Sequence, residues 1–193
     1  MSTFPPEPLP PIITNWFTTR NWSPRQHQLD VLASYQSGAS QLLIAPTGAG
    51  KTLAGFLPTL ADLATEKFAG LHTLYISPLK ALAVDVQRNL STPIAEMRLP
   101  ISVEARTGDT PASKRARQRT KPPHILLATP EQLALLISHP QAELMFGSQD
   151  RPASARLAIT SVTEAAGLST FWILVEVSIS KPASSLMIAR VMR

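Results

Sequence analysis

The chain has 193 residues, of which 44% are hydrophobic and 16% are charged, and its formal net charge is +5. This composition predicts a folded globular protein with one substantial core and excludes general disorder. The absence of cysteine excludes disulfides and thiolate metal sites, and the positive charge favours a polyanionic partner. No apolar run approaches the roughly 18 residues of a membrane span, and the first residues lack a signal-peptide pattern. We therefore expect a cytoplasmic protein without a membrane partner.

The N-terminal region is rich in proline, with five among the first eleven residues. This predicts an extended arm over residues 1–12, followed by an ordered domain over residues 13–146. Ser23 followed by Pro24 is typical of a helix start, with Ser23 as the N-cap. The predicted helix carries an apolar stripe and ends at Gly38.

A short apolar run at residues 41–44 predicts a buried strand, and the eight residues after it have the order typical of a phosphate-binding loop. They are Ala45, Pro46, Thr47, Gly48, Ala49, Gly50, Lys51 and Thr52. The glycines let successive backbone N–H groups turn toward phosphate oxygens, and the helix predicted next directs its positive end at the anion. In such a loop Lys51 contacts the β- and γ-phosphates and Thr52 ligates Mg²⁺. Because the pattern opens on alanine instead of glycine, a glycine-rich turn without a ligand is the alternative.

Strands and helices alternate after this loop. Helices are predicted over residues 53–63, 80–90 and 111–119 and from residue 130 onward, and strands over residues 74–76, 101–105 and 124–128. The alternation predicts an α/β fold, with a parallel sheet covered by helices on both faces and ligands bound at the carboxyl ends of the strands.

Three short polar segments each follow a predicted strand, so we expect them at the same sheet edge as the phosphate loop. Their candidate contact residues are Ser77, Pro78 and Lys80 in the first, Thr107, Gly108 and Asp109 in the second, and Thr129 and Pro130 in the third. Serine, threonine and glycine at helix starts offer donors to a sugar-phosphate backbone without reading bases. Ordinary capping and turn chemistry is the alternative for each segment.

A basic run lies between the second and third polar segments. Its five cations fall within eight residues that contain no acid, and they are Lys114, Arg115, Arg117, Arg119 and Lys121. The run either contacts phosphates or forms one solvated helix face, and the sequence leaves both interpretations open.

Taken in this order, the segments resemble the first motor domain of superfamily 2 DEAD/DEXH-box helicases. The resemblance covers residues 16–146 and is strongest to the large helicase-related group, and within it to the ligase-associated DEXH-box helicases of bacterial DNA repair. It implies a RecA-like P-loop fold that binds ATP and Mg²⁺, with Gln28 on adenine, Lys51 on phosphate and Thr52 on the metal. It also implies that the three polar segments grip DNA, single-stranded or duplex, with RNA left open.

The resemblance stops before the acidic residues that this family uses for hydrolysis. Family members continue with an apolar strand ending in Asp-Glu-x-His, whereas this sequence contains no Asp-Glu pair, so no residue is assigned to fix Mg²⁺ or to orient water. Residues 147–193 carry no recognised motif, which predicts a sheet that is incomplete on its C-terminal side and a tail that is aberrant or poorly ordered. Glu176, at the end of an apolar run over residues 171–175, is the one alternative carboxylate.

Two functions follow from these observations. The first is an ATP-binding and nucleic-acid-binding fragment of a DNA helicase, truncated and inactive as a motor because a second motor domain is also missing. The second is a non-catalytic nucleic-acid-binding or interaction module, with a phosphate loop that is vestigial because the sheet lacks a central strand. A small-molecule kinase shares the loop but leaves the polar segments unexplained. ATPase activity and protein partners stay undetermined by the sequence.

Overall fold

The computed structural model describes residues 8–46, 48–140, 142–146, 157–163 and 170–176. The helices are α1 (Pro11–Thr19), α2 (Gln26–Gln36), α3 (Lys51–Thr65), α4 (Lys80–Glu96), α5 (Ala112–Thr120), α6 (Pro130–Ile137) and α7 (Ala142–Phe146). The strands are β1 (Gln41–Ile44), β2 (Thr73–Ile76), β3 (Val103–Arg106), β4 (Ile125–Ala128), β5 (Leu157–Thr163) and β6 (Thr170–Glu176).

The strands form one sheet in the order β1-β6-β5-β2-β4-β3. Strands β5, β2, β4 and β3 pair in parallel, and β6 pairs antiparallel with both β1 and β5. Strand β1 therefore runs in the same direction as the four parallel strands, and the carboxyl ends of these five strands lie at one edge. The predicted α/β fold with a parallel sheet is confirmed.

The expectation that the sheet lacks a central strand is wrong. Strands β5 and β6 lie between β1 and β2 and make the sheet continuous. The sequence pattern of the family placed this strand near residues 149–156, which are not apolar enough for it, whereas β5 begins at Leu157. Its sequence, LAITSVT, is rich in β-branched residues, which favour strands. The ranges 147–156, 164–169 and 177–193 lie outside the described residues, so for these three ranges the aberrant or poorly ordered tail stays a prediction.

Both faces of the sheet are buried at β4, because successive strand residues point to opposite faces. Ile125 and Leu127 belong to the larger hydrophobic cluster, which α1, α2, α3 and α4 complete. Leu126, between them, belongs to a smaller cluster with Leu136 of α6 and Met145 of α7. All of these side chains are fully buried. The predicted coverage of both faces is confirmed at this strand.

Helix α1 was not predicted, because the proline-rich start indicated an extended arm. The helix begins at Pro11, where the missing N–H of proline costs nothing. Trp16 is buried in the larger cluster, and its indole Nε1 donates to Glu96 Oε2 over 2.6 Å. Hydrogen bonds from Arg20 and then Trp16 hold the pKa of Glu96 below its usual value. Of the predicted arm, residues 1–7 lie outside the described residues.

Helix α2 begins later than predicted. Its first residue is Gln26 and its N-cap is Arg25, so Ser23 and Pro24 precede the helix instead of starting it. The physical reason is a cap from inside the helix, since the Arg25 N–H donates to Gln28 Oε1 over 2.9 Å. The predicted end is correct, because Gly38 follows the helix with φ of +72°.

Candidate nucleotide and nucleic-acid site

The phosphate loop connects β1 to α3 at the edge where the parallel strands end. Gly48 and Gly50 both have positive φ, +79° and +78°, which glycine adopts without the steric penalty of a side chain. Gly50 is the N-cap of α3. The structure thus gives the strand, loop and helix that a phosphate-binding loop requires. Thr47 lies outside the described residues.

Lys51 folds back over its own loop. Its ammonium Nζ donates to the carbonyl oxygens of Ala45 at 2.6 Å and Pro46 at 2.8 Å. Only 9% of the residue is exposed. Both partners are neutral carbonyls, so these hydrogen bonds provide no counter-ion for the ammonium near the N-terminus of α3. Thr52, the predicted Mg²⁺ ligand, follows it and is half-buried.

Helix α2 contacts the loop through two side chains. The buried amide of Gln28 lies with Nε2 at 3.5 Å from the Gly50 carbonyl, which is the long limit of a hydrogen bond. The Arg25 guanidinium Nη1 donates to the Gly48 carbonyl over 3.3 Å. Gln28 therefore touches the loop itself, and its predicted contact with adenine stays a prediction. Arg25 was not among the site residues predicted from the sequence, where its one signal is its position three residues before Gln28.

The three polar segments emerge beside one another at the same edge, as predicted. Ile76, Ala128 and Arg106 are paired in register at the ends of β2, β4 and β3. The Ser77 N–H donates to the Ala128 carbonyl at 3.0 Å, and the Thr129 N–H reaches the Arg106 carbonyl at 3.4 Å. Strands β5 and β6 separate this row of segments from the phosphate loop.

The hydroxyl-bearing residues of these segments are buried, which favours the capping and turn role for them. Ser77 Oγ accepts the Leu79 N–H at 3.3 Å, and Thr110 Oγ1 accepts the Thr107 N–H at 2.9 Å. Ser77, Thr107 and Thr129 are each less than 8% exposed. The remaining predicted contact residues are exposed, and they are Pro78, Lys80, Gly108, Asp109 and Pro130. These exposed residues form the surface that a ligand can reach.

Four cations of the basic run lie on α5 and the fifth, Lys121, is the C-cap of this helix; the run is only partly neutralised. Arg117 pairs with Glu104 at 2.7 Å. Burial raises the pKa of Glu104, but Gln118 and Arg117 together outweigh burial, so this pKa lies below its usual value. Arg106 is 4% exposed, and burial, Arg119 and Arg115 all lower its pKa. Its Nη1 donates to the Arg115 carbonyl at 3.0 Å. Within the described part of the chain, the other four cations of the run have no ion pair.

Glu176 lies at the wrong edge for nucleotide chemistry. It ends β6, which runs antiparallel to β1, and it is in register with Leu157, the first residue of β5. Phe171 near the start of β6 pairs with Ile44, the residue before the phosphate loop. The carboxyl end of β6 is therefore opposite the loop, and the alternative carboxylate is excluded by topology. Across the residues that can be described, no group of acids and histidines is arranged to hold a metal.

None of the helices of the described residues has the length and apolarity needed to cross a membrane.

Comparison with known proteins places the chain in a family. A model of the DEAD/DEAH box helicases matches residues 25–150. The chain is 46% identical over 143 residues to the Lhr helicase/probable uracil glycosylase of Mycolicibacterium smegmatis, covering 67% of this chain and 10% of that protein. It is 36% identical over 165 residues to the Lhr helicase/uracil glycosylase of Escherichia coli, covering 76% of this chain and 11% of that protein.

Solved structures agree with these matches. The structure of the Mycobacterium smegmatis helicase Lhr bound to ssDNA and AMP-PNP has a TM-score of 0.68 and 38% identity, covering 79% of this chain and 20% of that one. The DUF1998 helicase MrfA bound to DNA and AMPPNP has a TM-score of 0.64 and 31% identity, covering 74% and 20%. The chain thus spans a tenth to a fifth of the length of these relatives. By its motifs, its fold and these matches, the chain belongs to the DEAD/DEAH box helicase family, as a fragment similar to the Lhr helicases.

Proposed function

We propose that this chain is the ATP-binding and DNA-binding fragment of an Lhr-like helicase, and that alone it hydrolyses ATP slowly and does not unwind DNA. The observation that carries the proposal is the geometry of Lys51, whose ammonium is held at the Ala45 and Pro46 carbonyls of a loop that contains two glycines of positive φ and leads into α3. This arrangement brings a positive charge and the first backbone N–H groups of a helix to one place.

A triphosphate fits the chemistry of this loop. Lys51 would exchange its hydrogen bonds to neutral carbonyls for hydrogen bonds to phosphate oxygens, in which donor and acceptor carry opposite charges. Arg25 adds a second cation next to Gly48. Thr52 would supply one hydroxyl ligand to Mg²⁺, which usually keeps several waters and phosphate oxygens as its other ligands. When bound, the ion would neutralise part of the negative charge of the triphosphate.

A nucleic-acid strand fits the row of polar segments at the same sheet edge as the loop. Their exposed residues, Lys80 and Gly108 among them, offer a cation and an exposed main chain at this edge. Such contacts bind a sugar-phosphate backbone without reading its sequence. The Lhr and MrfA structures carry ssDNA and DNA respectively, which supports DNA as the partner of this fragment.

Slow hydrolysis follows from the acids that the chain offers. The sequence has no Asp-Glu pair, and Glu176 is at the opposite edge from the loop. The acids of the polar segments, Asp109 and Glu131, follow β3 and β4 and interact with Lys80. Among the residues that the structure describes, we therefore assign none to orient the attacking water, a role that phosphoryl transfer depends on.

Thermal melting with and without Mg-ATP tests the proposal, because a ligand that binds only the folded state raises the melting temperature. At a concentration about 100 times Kd, the stabilisation is about 2.7 kcal/mol, which is a rise of roughly 5–10 °C for a domain of this size. Lys51→Ala is expected to reduce the rise to about a third or less at the same ATP concentration. Lys67→Ala, an exposed lysine beyond the other end of α3, is the matched control and keeps it.

If Mg-ATP does not raise the melting temperature of the unchanged protein, the nucleotide part of the proposal is wrong. Binding of a DNA oligonucleotide by the same protein would then leave the second candidate, a non-catalytic nucleic-acid-binding module. Rapid ATP turnover by the purified chain would contradict the proposed slow hydrolysis.

A further inference from the structure

The first two polar segments are joined by an ion pair. Lys80 Nζ lies 3.0 Å from Asp109 Oδ1 and 3.1 Å from Oδ2. Both side chains face solvent, with 55% and 78% of their surfaces exposed. Lys80 also lies along Gly108, because a Cβ added there would be 3.6 Å from Nζ and 3.8 Å from Cε. The ammonium is therefore held at the surface of the edge, between α4 and the turn after β3.

Each partner is electrostatically unfavourable in its own position. Lys80 is the first residue of α4, where the helix dipole disfavours a cation. Asp109 carries a negative charge in a segment proposed to receive negatively charged phosphates, which it repels. The pair removes both conflicts, since the carboxylate compensates the cation at the helix start and the cation compensates the carboxylate.

Asp109 is not needed to hold the turn that carries it. The Thr110 hydroxyl accepts the Thr107 N–H at 2.9 Å, and the Thr110 N–H donates to the Thr107 carbonyl at 3.1 Å. The hydrogen bonds of the Asp109 side chain go to Lys80. The position of the carboxylate is therefore explained by the lysine and not by the local backbone.

We propose that Asp109 acts as an internal substitute for a phosphate, which a nucleic-acid phosphodiester must displace from Lys80 in order to bind. The inference rests on the proposed nucleic-acid function of this edge. In the free protein the carboxylate keeps Lys80 ordered and neutralised. On binding, a phosphate oxygen takes the place of the two carboxylate oxygens, and Asp109 turns to solvent. Asp109, counted among the predicted DNA contacts, is on this account a competitor of the DNA.

The neighbouring acid Glu131 does not take over this role. Its pKa is lowered by its own backbone N–H and by the Thr129 hydroxyl, and to a smaller extent by Lys80. It lies in the first turn of α6, where a negative charge is stabilised by the helix. Glu131 is thus held by its own helix, whereas among the described residues the Asp109 carboxylate bonds only to Lys80, which a phosphate can replace.

Titration of the full 193-residue chain with a fluorescent single-stranded oligothymidylate at several salt concentrations tests the proposal. Asp109→Asn keeps a residue that is favoured in turns and removes the competing charge. We expect binding about two- to five-fold tighter, because exposed ion pairs are weak, and a salt slope that is steeper by up to about 0.7. Asp85→Asn, an exposed acid on α4 that accepts from Asn89, is the matched control and gives no such gain.

The double variant Lys80→Gln/Asp109→Asn separates the ion pair from a general charge effect. Against Lys80→Gln alone, the added Asp109→Asn should bring a clearly smaller gain in affinity than it brings in the unchanged protein, because only the general repulsion of phosphate is then relieved. Weaker or unchanged binding by Asp109→Asn overturns the inference and leaves the proposed function intact, and so does a gain that is equally large in the Lys80→Gln background. If the unchanged protein and every variant fail to bind the oligonucleotide, both the inference and the proposed nucleic-acid function are wrong. Melting curves of each variant confirm that it folds.

Discussion

Lys51 and Lys80 occupy equivalent positions in the fold, yet their environments differ. Each is the first residue of a helix that follows a strand at the same sheet edge, α3 after β1 and α4 after β2. Lys51 is 9% exposed and donates to neutral carbonyls, whereas the Lys80 side chain is 55% exposed and pairs with a carboxylate. Burial strengthens electrostatic interactions and solvent weakens them. The comparison indicates that a tight, highly charged ligand belongs to Lys51 and a weaker, exchangeable one to Lys80.

The largest expected effect is on ATP binding, and the same two substitutions test whether Lys51 and Lys80 serve different ligands. Lys51→Ala should lower ATP affinity by at least about 30-fold, because removing a buried charged partner costs roughly 2–5 kcal/mol, and should leave oligonucleotide binding unchanged. Lys80→Ala should do the reverse, with a loss of only a few-fold. Isothermal titration with Mg-ATP and fluorescence titration with the oligonucleotide measure the two affinities. Equal effects of both variants on both ligands would contradict the separation of the two sites.

The next effect concerns the backbone that holds Lys51. Gly48→Ala and Gly50→Ala each place a side chain at positive φ, and we expect each to lower the free energy of unfolding by about 1–2 kcal/mol. A Cβ at Gly50 would also lie 3.0 Å from Gln28 Nε2, whereas nothing lies within 4 Å of one at Gly48. Only Gly50→Ala should therefore displace the Gln28 amide.

Urea unfolding of the two glycine variants measures their stability. Gln28→Ala serves as the background for Gly50→Ala, because it removes the neighbouring amide while the positive φ remains. The extra loss at Gly50, beyond that at Gly48, should disappear in this background. An extra loss that survives the removal of Gln28 would refute the close approach of α2 to the loop.

A smaller effect extends the comparison to the basic helix α5. Lys121 is exposed and has no ion pair among the residues that the structure describes, whereas Arg117 is paired with Glu104. If α5 contacts the nucleic acid, Lys121→Gln should reduce the salt slope of binding by about 0.7. Arg117→Gln is the paired control and should change it less. If both variants and the unchanged chain have identical salt slopes, the basic run is a solvated helix face that does not contact the nucleic acid.

The smallest expected effect is none at all. Glu176→Gln should leave any residual ATP hydrolysis unchanged, because β6 carries this residue to the edge opposite the phosphate loop. Steady-state release of phosphate measures the rate, with Lys51→Ala as the variant in which the loop is disabled. A large loss of activity in Glu176→Gln would mean that the antiparallel placement of β6 is wrong.

Much of the fold was predictable because its signals are local. The apolar run before the loop, the order of residues from Ala45 to Thr52 and the alternation that follows correctly predicted β1, α3, β2 and β4 within one or two residues. Helix α4 continues to Glu96 instead of ending near residue 90, and Pro93 lies inside it. Helix α1 was missed because prolines indicated an extended arm, although its aromatic residues pack into the main core.

The sequence by itself determined that this chain carries a phosphate loop and three polar segments after parallel strands, because strand period, helix period and glycine placement are properties of neighbouring residues. Only the tertiary structure decided which distant residues meet. The antiparallel insertion of β6, the contact of Arg25 with the loop and the pairing of Lys80 with Asp109 join residues far apart in the chain. Such contacts depend on how the strands are ordered in space, and no local pattern encodes that order.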